Sequence, residues 1–163
     1  MKSSLWTPLF AAAVLCGGCA SYSGSSLQPG VSTEGEVRSV MGAPAVEFAN
    51  GDGSRQLAYP RGPLGTQTFM VDVGSDGKLI AVRGVLRDEI FFQVKPGMTR
   101  DEILRLIGPP GETMEFKNLN QVAWDYRYTD TWGYTAILSV MFDTQWVVVG
   151  KFTRRLERDR GRN

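Results

Sequence analysis

The stretch Pro96–Pro110, "PGMTRDEILRLIGPP", reads as one helical unit with its own start and stop. Thr99 stands three residues before Glu102, the spacing at which the two side chains satisfy each other's backbone N–H groups at a helix start. Ile103, Leu104, Leu106 and Ile107 then form a set for burial. Gly108 sits where a helix closes with a residue at positive φ, and Pro110 forbids continuation. Pro29–Pro44, "PGVSTEGEVRSVMGAP", repeats this plan with one extra residue. Its capping pair is Thr33 and Glu36, its buried set Val37, Val40 and Met41, and its stop Gly42 and Pro44. The offset is 67 at the Pro-Gly (96 − 29) and 66 at the closing Gly-x-Pro (108 − 42). Two copies of one unit at a near-constant offset imply an internal duplication.

Strand-like segments follow each helix. In the second copy Val122, Trp124, Tyr126 and Tyr128 alternate with Ala123, Asp125 and Arg127, the period of a strand with one buried face. Ala136–Phe142 and Trp146–Phe152 come next. The matching pieces of the first copy are Arg55–Tyr59, Gln67–Val73 and Lys78–Val85, and the turn "VGSDGKL" (Val73–Leu79) corresponds to "FDTQWVV" (Phe142–Val148). Within Leu86–Val94, the helical spacing of Ile90, Phe91 and Val94 predicts a short helix ahead of the second copy, without a counterpart in the first. The expected fold class is α+β: two tandem modules, each one or two short helices packed on a three-stranded antiparallel sheet. A unit of about 55–65 residues is marginal alone, so the two are expected to pack together.

Both cysteines lie in "LCGGCAS", Leu15–Ser21. Ahead of it come a basic start (Lys2) and the uncharged, mostly apolar run "LWTPLFAAAVL" (Leu5–Leu15), the layout of an export signal. The run is shorter than the about 20 residues of a membrane span. Pro8 and the paired glycines oppose the alternative, a buried N-terminal helix. A redox or metal C-x-x-C needs a folded site, commonly with a second ligand pair; the chain has no second pair and no histidine. The stretch resembles a bacterial lipobox, in which a peptidase cuts before a cysteine that then carries lipid. Gly17 and Gly18 precede Cys19 as that pattern asks, while Cys16 stands where leucine is usual. The resemblance implies that residues 1–18 are a lipoprotein signal peptide and that Cys19 is lipidated. Ala20, in place of an aspartate, implies the outer membrane. Several acyl chains on one cysteine hold a protein firmly on a bilayer. Residues 19–28, small and polar, read as a flexible tether.

Composition narrows the function classes. Eighteen basic residues against 17 acidic give a net charge of +1, no electrostatic footprint for nucleic acid. The lack of histidine removes the commonest general base and metal ligand and every Ser-His or Cys-His pairing. No nucleophile elbow, P-loop or dinucleotide fingerprint is present. The expectation is a non-enzyme without metal or cofactor, apart from the lipid on Cys19. An enzyme using carboxylates alone would need two of them facing each other in a cleft.

In the second copy Pro96-Gly97-Met98-Thr99, Ile103–Ile107, Gly108-Pro109-Pro110, Trp124-Asp125-Tyr126 and Phe142-Asp143 occur in order. This series resembles the SmpA/OmlA/BamE family of outer-membrane lipoproteins over residues 86–152, with 29–85 as a degraded copy in which Trp-x-Tyr is reduced to Leu57-Ala58-Tyr59. The resemblance implies a non-catalytic, periplasm-facing outer-membrane lipoprotein that supports outer-membrane protein assembly or envelope integrity through contacts with the assembly machinery or other envelope proteins. Proteins of that family carry one such module, and this chain carries two. Tandem modules of this shape also resemble the β-lactamase-inhibitor protein fold, which implies the alternative of a periplasmic inhibitor or ligand-binding module.

Four residues are candidates for partner contacts. Trp132 and Tyr134 lie in the hairpin between the first two strands of the second module, as a contact surface for protein or lipid headgroups or as a loop folded over the core. Arg61 occupies the equivalent hairpin of the first module, where it meets a phosphate or is merely solvated. Trp146 stands where the resemblance leads one to expect glycine. It is either an exposed anchor or, the preferred reading, opens the third strand and packs inward after a shift of the turn. Residues 153–163 read as a basic tail. From Lys151 onward six basic and two acidic residues give +4, suited to anionic lipid headgroups if the tail is not simply solvated.

Overall fold

The computed structural model describes residues 23–156, so Cys16, Cys19 and the tail beyond Leu156 lie outside the described residues. The first module runs α1 (Glu34–Met41), β1 (Val46–Ala49), β2 (Arg55–Pro60), β3 (Thr68–Val73) and β4 (Leu79–Gly84). The second runs α2 (Asp88–Phe91), α3 (Arg100–Ile107), β5 (Glu112–Phe116), a 3₁₀ turn (Lys117–Leu119), β6 (Gln121–Thr129), β7 (Thr135–Phe142) and β8 (Val148–Arg155). Each sheet is an antiparallel meander of four strands, not three, in the orders β1-β2-β3-β4 and β5-β6-β7-β8. The additional strands are the short edges β1 and β5. The last strand of the second sheet also claims Thr153–Arg155 from the expected tail.

The local signals act as read. Thr33 and Thr99 each form a complete capping box, with the Glu36 and Glu102 carboxylates accepting from the threonine N–H at 2.7 Å. Gly42 and Gly108 close the helices at φ 86° and 78°, with extended ψ, a region only glycine enters without strain. The duplication extends to a bridge from each N-cap threonine to its own sheet: Thr33 pairs with Lys78, and Thr99 with Val147. The last residues of the expected tether are docked: Leu27 packs against the first core and its N–H donates to Gly24 O.

Two cores result. In the first, Val37 and Met41 of α1 meet Leu57, Tyr59, Val71, Val73 and Leu79 on one face of the first sheet. The second unites Ile103 and Ile107 of α3 with Trp124, Tyr126, Leu138, Val140 and Phe142 of the second sheet. It also takes Ala58 and Met70 from the opposite face of the first sheet. Helix α3 therefore lies between the sheets, and the layers run α1, first sheet, α3, second sheet. Arg105 of α3 stacks on Phe48 of β1 at 4.6 Å and donates to Asn50 Oδ1 at 2.9 Å. The closing Gly108 lies so near the first sheet that a β-carbon there would come within 2.8 Å of Thr68 Cγ2.

Candidate functional site

The hairpin joining β6 to β7 is organised by Asp130. Its Oδ1 accepts from the N–H of Trp132 and of Tyr134, both at 2.9 Å, and its Oδ2 takes the Arg155 guanidinium at 2.6 Å. Burial raises the Asp130 pKa, but these donors outweigh it and hold the carboxyl below its ordinary range. Arg155 in turn stacks on the Tyr134 ring at 5.0 Å. The frame presents Trp132 at the tip, 77% exposed, with Tyr134 beside it at 46%. The turn is thus ordered by its own hydrogen bonds while its indole projects into solvent.

The next hairpin, between β7 and β8, has the same build. Asp143 Oδ1 accepts from the N–H of Gln145 and Val147. Trp146 occupies the position held by Gly133 in the first hairpin, at φ 60° against 81°. The turn does not shift to place Trp146 in the strand, because Asp143 fixes the turn and β8 opens only at Val148. Its ring does lean inward, 5.8 Å from the centroids of both Trp124 and Phe142, with the Arg100 guanidinium 5.4 Å away on its other contact; it stays 36% exposed.

These candidates do not form one site. Trp132 and Tyr134 lie at one end of β7 and Trp146 at the other. Arg61 belongs to the first sheet, with its guanidinium 6.0 Å from the Phe69 ring. Its hairpin flanks a groove of about 270 Å³ between the modules, walled by Pro60, Pro63, Pro109, Pro110, Tyr126 and Arg127. No carboxylate lines that groove; its titratable lining residues are Tyr126 and Arg127. The described residues hold no group of three or more His, Cys, Asp or Glu that could bind a metal ion. No helix among them is long and apolar enough to cross a membrane. The sequence reading missed Asp130 and Arg155. Laying "DTWGY" (Asp130–Tyr134) over "DTQWV" (Asp143–Val147) reveals the shared leading aspartate that would have found the first of them.

The architecture defines a class: a duplicated small α+β module, each with a capped helix on a four-stranded meander. Residues 85–151, most of the second module, match the family model of the outer membrane protein assembly factor BamE domain. A DUF4309 family protein from Bacillus subtilis is similar over 81% of this chain and 84% of its own, at 15% identity and a TM-score of 0.33, too slight a likeness to carry an argument. No curated protein matches the chain.

Proposed function

We propose that the protein is a non-catalytic accessory of outer-membrane protein assembly, held at the periplasmic face of the outer membrane by lipid on Cys19 and acting through protein–protein contacts. The observation that carries this reading is the BamE match over residues 85–151, most of the second module. In keeping with it, the large exposed aromatics among the described residues, Phe92, Trp132, Tyr134, Trp146 and Phe152, all belong to that module. The inhibitor reading calls for an aromatic surface shared by both modules; the large exposed side chains of the first, Val31, Leu64 and Ile80, are aliphatic. The Asp130 hairpin, with Trp132 and Tyr134, is the first contact we assign, and Trp146 and Arg61 are secondary ones. The basic end of the chain adds an affinity for anionic headgroups.

Purification of the full chain from membranes in mild detergent, with crosslinking, tests the reading. Recovery of the barrel-assembly complex supports it, and recovery of a soluble enzyme alone overturns it. The anchor has its own test: Cys19→Ala should lose lipid labelling and membrane retention, and a variant that keeps both refutes it.

A further inference from the structure

The hydrogen bonds of the two copies locate the extra residue of the first. Gly30 and Gly97 hold the same place: the Gly30 N–H donates to Leu79 O and the Gly97 N–H to Val148 O, each at 2.8 Å. The Leu79 N–H returns a bond to Ser32 O, and the Val148 N–H returns one to Met98 O. Val31 and Ser32 therefore fill the gap that Met98 fills alone. Ser32 takes the bond and is buried, and Val31 is looped out, 66% exposed. The loop is ordered. The N–H groups of Val31 and Ser32 both donate to Gln28 O, and Ser32 Oγ accepts from the Gln28 N–H. Ile80, next to Leu79, is the unpaired residue of a bulge, since the register steps from Asp72–Ala81 to Val73–Leu79. It is 56% exposed and extends the apolar surface that Val31 begins.

The place of this surface along the chain decides what can cover it. Gly24 is already docked: it is buried at φ 64°, where a β-carbon would meet Met41 Sδ at 3.0 Å and Val82 Cγ2 at 3.6 Å. Val82 and Ile80 are two residues apart on β4, about 7 Å. Cys19 precedes Gly24 by five residues (24 − 19), at most about 18 Å of chain. A leaflet holding lipid on Cys19 therefore lies within one short span of Val31 and Ile80. Leu64, the other large exposed apolar side chain of the first module, sits at the far end of the sheet, in the hairpin joining β2 to β3. Charge does not govern the surface. Asp76 and Lys78 on the turn before Ile80 offset each other, and Glu34 is engaged by Arg38 and Arg55.

We propose, resting on the lipid anchor at Cys19, that Val31 and Ile80 seat the first module on the bilayer that holds that lipid. The short tether makes this contact intramolecular in effect, so two aliphatic side chains suffice for it. They do not suffice for a protein. A stable interface buries about 800 Å² on each partner, far more than two side chains offer, so a second copy or a separate protein is a poor occupant. The extra residue of the first copy thereby acquires a use: it brings a valine out of the fold at the end of the molecule nearest the anchor.

Photo-crosslinking in a bilayer tests the proposal. The full-length lipidated chain, in phosphatidylcholine vesicles, carries a photo-crosslinking amino acid at position 31 or 80. Position 149 is the control, because Val149 is the bulged counterpart of Ile80 on the second module and is 42% exposed. Phospholipid adducts should form at 31 and 80 and not at 149. Inserting about 20 Gly/Ser residues after Tyr22 lengthens the tether about fivefold and should lower those adducts about tenfold, since effective concentration falls with the −3/2 power of tether length. Adducts at 149 as abundant as those at 80, a yield indifferent to the longer tether, or adducts to other copies of this chain alone overturn it. Intact mass separates the two levels. A chain recovered from membranes without lipid on Cys19 refutes the anchor reading. A lipidated, vesicle-bound chain that gives no phospholipid adduct at 31 or 80 refutes the seating alone.

Discussion

At one turn the two modules solve the same backbone problem with different residues. Gly77 of the first and Trp146 of the second both precede the last strand of their sheets at positive φ, 76° and 60°. Glycine accepts that conformation without cost. Tryptophan accepts it only because Trp124, Phe142 and Arg100 hold its ring. In the first module, Leu57 stands at the strand position that Trp124 fills in the second. The difference shows that the duplicated frame is held by its caps and turns, while each module has been free to change what it sets on that frame.

The largest expected effect tests whether the modules share one core. Ile107→Ala should cost about 2–5 kcal/mol and lower one common melting transition. Two separate transitions, with the first module unmoved, would break the picture of α3 serving both sheets. The paired glycines sharpen it. Gly42→Ala should cost about 1–3 kcal/mol through backbone conformation alone, since an added β-carbon meets nothing within 4 Å. Gly108→Ala adds the approach to Thr68 at 2.8 Å and should cost clearly more in the same denaturation experiment.

Next comes the turn itself. Trp146→Gly relieves the left-handed conformation but removes a half-buried ring, for a net loss of about 1–2 kcal/mol by chemical denaturation. A gain in stability would mean that the ring contributes nothing to the fold. Thr33→Ala and Thr99→Ala should each cost about 1 kcal/mol, and equally if the caps are true repeats. The caps also carry a pH signature. The threonine N–H, then its hydroxyl, lower the pKa of Glu36 and of Glu102. Each glutamate's contribution is therefore complete above the ordinary glutamate range and is lost as pH falls through the lowered folded-state value. Melting curves of Glu36→Gln and Glu102→Gln should approach wild type in acid, whereas the Thr→Ala cost should persist there, because the threonine hydroxyl still accepts from the Glu36 or Glu102 N–H. Smallest of all, Trp132→Ala should leave stability within about 0.5 kcal/mol while reducing partner recovery.

Helices, caps and central strands were legible because each obeys a local rule that a single stretch of sequence displays. Ile103 and Ile107 with their Thr99–Glu102 cap are such a stretch, and so is the alternation from Val122 to Tyr128. The edge strands were not. β1 has four residues, each half or fully exposed, and most of β5, "ETMEF", is exposed, so neither shows a buried period. The interleaving was hidden for another reason: Ala58 and Met70 lie on the opposite face from Leu57 and Val71, and nothing local tells which face the other module will cover. The candidate contact residues were picked out as loop aromatics. The aspartate that arranges Trp132 and Tyr134 reads in sequence as an ordinary turn residue.

The place of α3 has a consequence in time. Chains are made from the N-terminus, so the residues of the first sheet emerge before the helix that covers it. Met70 is synthesised 37 residues ahead of Ile107 (107 − 70). At about 5–20 residues per second, that leaves its face bare for several seconds. During that interval the half-built protein offers a sticky surface to whatever stands nearby, and a chaperone able to bind it would protect this chain at its most vulnerable moment.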